Sequence, residues 1–135
     1  MEAARAESRV ARLHRKENGR WTECGERTFP VSAEGESVSL AAAELFPAVR
    51  ALDGLCTRKF CADLTVAGLD WAALRPGPRL RSGEALLEIV RAGKGCYDEC
   101  PLRRRGENCG LPGHVAFARV LTGGRLAPGD PVTMM

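Results

Sequence analysis

Three cysteines and three consecutive arginines share the glycine-bounded stretch GKGCYDECPLRRRGENCG, residues 93–110. Cys96, Cys100 and Cys109 follow the spacing C-x3-C-x8-C, and His114 stands five residues beyond the last of them. Four kinds of chemistry are open to such a set. As N and S donors, Cys96, Cys100, Cys109 and His114 could close a tetrahedral zinc site, or the thiolates could hold iron. The paired C-x2-C knuckles and the tighter cysteine runs typical of zinc and iron–sulfur proteins are absent. As cross-links, six cysteines form an even set, and Cys96 with Cys100 could be a redox pair; a chain of 135 residues does not need such staples to fold. As a nucleophile or sulfur carrier, Cys96 has Lys94 close by, while Arg91 and Arg103 to Arg105 add positive potential that favours thiolate over thiol. As an anion cradle, Arg103, Arg104 and Arg105 offer guanidinium forks suited to phosphate. Gly93, Gly95, Gly106 and Gly110 would let backbone N–H groups approach a ligand. A run such as LRRRGE taken alone reads as a solvated loop, and Cys24, Cys56 and Cys61 read as small packed hydrophobes.

The elements that must position this stretch are mostly strands. SRVARLHRK (8–16) alternates as a half-buried strand, and ENGRWTECGERTFP reads as a loop or ragged hairpin. VSLAAAELFPAVRALDG (38–54) reads as a helix stopped by Gly54 and kinked or split at Pro47. Glycine and proline turns then separate a short strand near residue 80, a longer one over 85–90, one following His114, and a last one after PGD. Such punctuation predicts a mainly β domain, barrel or sandwich, spanning residues 1–135 as a single unit with a few short helices.

Charge and hydropathy narrow the function classes. Residues 1–90 carry 13 basic and 13 acidic side chains, while residues 91–135 carry seven basic and four acidic, so the whole net charge of +3 lies at one end. That bias suits a small anion and predicts no nucleic-acid partner, which would call for a more basic face and a reading element. No apolar run approaches the roughly 20 residues of a membrane helix. The N-terminal residues show no apolar signal core, so the expected location is the cytoplasm, with thiols kept reduced.

Residues 38–132 resemble the small stand-alone MOSC domains, a family named after the C-terminal domain of molybdenum cofactor sulfurase. ADLTVAGLDWAALRPGPRLRSGEALLEI is similar to the family's E-N-[IL]-T-x-x-G-[IL]-D segment and the strand after it. GKGCYDEC…NCGLP is similar to the cysteine pattern of the short members, VSLAAAE to the approach to the family's first helix, and VAFARVLTGGRLAPGDPV to its closing hairpin. The resemblance implies a β-barrel-like fold and the molybdenum cofactor (molybdopterin), an anionic pterin phosphate whose metal is held by dithiolene sulfurs. It implies Cys96 as the reactive or ligating thiol, with Cys100 and Cys109 as the subgroup's further cysteines. Lys94, Arg103, Arg104, Arg105 and Arg119 are the candidate cofactor-binding cations, and molybdopterin biosynthesis or molybdoenzyme maturation proteins the expected partners. Two other functions stand beside this one: a structural zinc- or iron-binding module, and a cofactor-dependent reductase of N-hydroxylated compounds. The G-D-x-H stretch of many members is absent, with FPVSAEGESVSL in its place.

Overall fold

The computed structural model describes residues 8–32, 38–49, 61–71, 74–93, 101–106 and 113–135. The chain is mainly β, as its punctuation predicts. β1 (Arg9–Glu17) and β2 (Arg20–Cys24) form a hairpin around Asn18-Gly19. Both turn residues take positive φ, 51° and 79°, the conformation that a tight right-twisting hairpin demands and that Asn-Gly supplies at least cost. β3 (Arg27–Phe29) follows, then β4 (Val38–Ala42), a 3-10 turn over Ala43–Leu45 and the short helix α1 (Phe46–Val49). β5 (Leu64–Ala67), β6 (Arg79–Ser82) and β7 (Ala85–Ala92) lead to the short helix α2 (Pro101–Arg104). β8 (Val115–Thr122), β9 (Gly124–Leu126) and β10 (Thr133–Met134) complete the described elements.

Eight of these strands make one sheet in the order β10-β6-β7-β8-β4-β5-β1-β2, and β3 pairs separately with β9. The barrel expected from the turn spacing does not close, because the sheet keeps two edges, β10 and β2. The segment before β10 nonetheless returns to β1: Val10 N–H donates to the Asp130 carbonyl at 2.8 Å, Gly129 N–H to the Val10 carbonyl at 2.7 Å, and Val132 N–H to the Ser8 carbonyl at 2.9 Å. Leu13, Leu40, Leu64, Leu87 and Ile89 project to one face, where they bury fully with Phe29 and Leu126 of the small sheet. Each such side chain contributes about 1.5–3 kcal/mol through burial.

The helix expected over 38–54 is replaced by strand over Val38–Ala42, while Ala43–Val49 is helical, first as a 3-10 turn and then as α1. Val38–Ala42 lies between β8, antiparallel, and β5, parallel, and is buried on both faces. Ladder pairing and burial override the helix propensity of its alanines. The α-helix begins at Phe46, and Pro47 sits in its first turn, where a missing N–H is harmless, so no kink arises. The end of that expected helix, including Gly54, lies outside the described residues. The expected closing hairpin is also corrected: β9 does not turn back along β8 but crosses to β3. Among the described residues no helix is long and apolar enough to cross a membrane.

Candidate functional site

The cysteine stretch leaves the sheet at the end of β7 and returns at the start of β8, and these two points are joined. Gly93 N–H donates to the Val115 carbonyl at 2.6 Å, and Ala42 N–H, at the end of β4, donates to the His114 carbonyl at 3.1 Å. Three strands therefore anchor its roots at one end of the sheet. Arg91, two residues before Gly93, lays its guanidinium 4.2 Å from the centroid of the Phe117 ring on the outer face. That stacking holds a cation at the root of the stretch. Phe117 in turn packs against the cluster of Ala41, Ala62 and Val115, as do Leu45 and Phe46 of the turn and helix.

The candidate residues divide accordingly. Lys94, Cys96, Cys100 and Cys109 lie outside the described residues, as does Cys56. Arg103 belongs to α2, and only its backbone is described. Arg104 and Arg105 are exposed, at the end of that helix and in the turn after it, where the sequence predicts a plain loop. His114 is exposed beside β8. Cys24 and Cys61 are half-buried, and Cys24 packs against the main core. Among the described residues no group of three His, Cys, Asp or Glu side chains could hold a metal.

Arg119 projects from β8 directly opposite Glu88 of β7. Its Nε donates to Glu88 Oε1 at 2.8 Å, and Arg79 Nε approaches Glu88 Oε2 at 3.5 Å. The Arg119 hydrogen bond, helped by the charges of both arginines and opposed by burial, holds the Glu88 carboxyl below its ordinary value. The Glu88 side chain is 17% exposed and that of Arg119 35%, so this pair occupies the rim of the sheet and Arg119 is committed to a carboxylate.

Two further arrangements have no signal in the sequence. Asp63, just before β5, accepts from Arg27 Nη1 at 2.8 Å and from the Ser39 N–H and hydroxyl at 2.9 and 3.0 Å; Arg27 Nη1 also donates to the His14 carbonyl at 2.7 Å. This network ties β1, β3, β4 and β5 together. Beside it a pocket of about 240 Å³ is lined by Arg12, His14, Phe46, Pro47, Cys61 and Thr65. Alternation along β1 puts Arg12 and His14 on one face, and the β1–β5 register sets Arg12 directly opposite Thr65. Phe46 joins this pocket to the apolar cluster that supports the root of the cysteine stretch.

No family model and no curated protein matches the sequence. Solved structures do match in fold. The chain superposes on YiiM from Escherichia coli with a TM-score of 0.62 at 14% identity, covering 94% of this chain and 69% of that one. For YiiM from Geobacillus stearothermophilus the TM-score is 0.56 at 19% identity, with 95% and 73% covered. The YUAD protein from Bacillus subtilis gives 0.63 at 11% identity, with 96% of each chain covered.

Proposed function

We propose that this chain is a MOSC-type accessory domain that binds the molybdenum cofactor, or handles sulfur for it, through the Cys96 thiol. The fold likeness to the two YiiM structures, which are MOSC-domain proteins, supports the family reading. The observation that carries the site is the pinning of Gly93 against Val115: it gathers both roots of a stretch rich in thiols and guanidinium groups at one end of the sheet, beside the stacked cation of Arg91.

The donor set fits such a group. Arg104 and Arg105 are exposed on the segment between Cys100 and Cys109, and guanidinium forks match a pterin phosphate. A cysteine thiolate is a soft ligand suited to a sulfur-bound metal and equally able to carry a persulfide. Arg103, Arg104 and Arg105, with Lys94, would hold the phosphate, and Cys96 would approach the metal or bear the sulfur. Arg119, paired with Glu88, would act by shaping the rim. The cofactor, when bound, supplies a metal centre for sulfur or oxygen exchange. The natural partners of such a domain are molybdopterin biosynthesis and molybdoenzyme maturation proteins.

The test is anaerobic purification of the wild type beside Cys96→Ala, with molybdenum analysis and intact mass on both. The wild type is expected to hold molybdenum or gain the mass of one sulfur, and the variant to lose either signal while keeping its fold. A wild type with neither, or a variant that retains them, overturns the proposal.

A further inference from the structure

We propose that the pocket between β1, β5 and α1 is a second binding site, and that it takes a small tetrahedral oxoanion on Arg12, His14 and Thr65. Its polar floor follows from the sheet register. Arg12 and Thr65 are direct cross-strand neighbours, and His14 lies two residues along β1 on the same face. Among the described residues no carboxylate lines the pocket. The nearby acid, Asp63, spends its two oxygens on Arg27 and Ser39.

Hydrogen-bonding capacity decides the sign of the ligand. A guanidinium is five donors and no acceptor and so sets the sign, while a neutral imidazole and a hydroxyl can each add one donor beside their acceptors. Arg12 forms no ion pair with another described residue, and the Thr65 hydroxyl forms no hydrogen bond to one, although Thr65 is only 2% exposed. A nearly buried hydroxyl in a pocket wall calls for a polar occupant. Phe46 and Pro47 add apolar surface to the lining. The size is also selective. At about 240 Å³ the pocket falls below the roughly 300–1,000 Å³ of sites for drug-sized ligands, so it accommodates a single phosphate-like group. That group is either a free anion or the terminal phosphate of a ligand lying outside.

Cys61 in the same wall supplies a reporter. Full-length protein is alkylated with iodoacetamide, and modification of the Cys61 peptide is followed by mass spectrometry in inorganic phosphate, in phenyl phosphate, or in chloride at matched ionic strength. Phosphate is expected to slow modification of Cys61 several-fold relative to chloride. Arg12→Ala, at an exposed position that the fold does not need, should raise the concentration for half-protection by about ten-fold or more, the loss of one charged hydrogen-bonding partner. Thr65→Val, which keeps the buried shape, should weaken protection less. Stronger protection by phenyl phosphate assigns the site to a phosphate ester, and equal protection to the free anion. Protection that is absent in the wild type, or unchanged in Arg12→Ala, overturns the proposal. Protection lost in Cys96→Ala overturns it too, by assigning the effect to the cysteine stretch. Failure here leaves the Cys96 proposal standing, because molybdenum and persulfide content are read independently.

Discussion

Among single residues, Glu88 shows how far a side chain's role depends on partners distant in sequence. Arg119 is legible in the sequence as a cation in a closing motif, but its partner lies 31 residues away and only the β7–β8 register brings them opposite. The pair makes a signed prediction. The Glu88 carboxyl is lowered in the folded state, chiefly by the Arg119 hydrogen bond, from an ordinary value of 4.5. Its stabilising effect is therefore complete above pH 4.5 and is lost as pH falls through the lower folded value. Glu88→Gln should unfold at lower urea than the wild type at pH 7, with the difference shrinking progressively below pH 4.5. A gap that stays constant from pH 7 to pH 3 would show that the charge contributes nothing. The Asp63 network and the pocket of Arg12 and Thr65 were hidden for the same reason, since their members come from β1, β3, β4 and β5.

At the level of elements, alternation and punctuation were readable and competition between propensities was not. ALLEIV declares β7, which buries every second side chain, and RVARLHRK declares β1, although a register shift between Val10 and Arg12 spaces its buried Val10 and Leu13 three apart. VSLAA carries the same alternation in too short a window, and its alanines point to helix until two neighbouring strands claim it. Gly123-Gly124 reads as a hairpin turn, yet its purpose is close approach. A Cβ on Gly124 would stand 2.7 Å from the Ala85 nitrogen, and one on Gly123 2.8 Å from the Phe29 carbonyl oxygen, both backbone atoms that cannot swing aside. Gly124→Ala should therefore destabilise by about 1–3 kcal/mol through overpacking. Gly19→Ala, with φ +79° and open space around its Cβ, should cost about 1–2 kcal/mol from backbone conformation alone. Urea midpoints separate the two if Gly124→Ala is then combined with Ala85→Gly. The Cβ at residue 85 is not what Gly124 would strike, so the double variant should recover nothing; full recovery would place the clash on that side chain instead.

For the molecule as a whole, the question is what holds an open eight-stranded sheet in its curled shape. The answer lies in residues 127–135, which touch both flanks. Toward β1 they make the three backbone hydrogen bonds to Ser8 and Val10; toward β6 the Ser82 hydroxyl donates to the Pro131 carbonyl at 2.7 Å, and Met135 N–H donates to the Arg79 carbonyl at 2.8 Å. Val132 sits in the core between these contacts. The strap is shaped by Asp130, whose Oδ2 accepts the Ala127 N–H at 2.8 Å across the Pro-Gly-Asp turn, with Gly129 at φ 96°. Asp130→Ala removes that acceptor and should destabilise the fold by about 1 kcal/mol. The loss should appear first where the strap meets β1: the Val10 and Val132 amides should exchange faster, while the Leu40 and Leu64 amides in the centre of the sheet keep their protection until global unfolding. Equal acceleration at Leu40 and Val10 would mean that strap and sheet open as one unit. The sheet's curl would then belong to its core packing and not to its C-terminal tie.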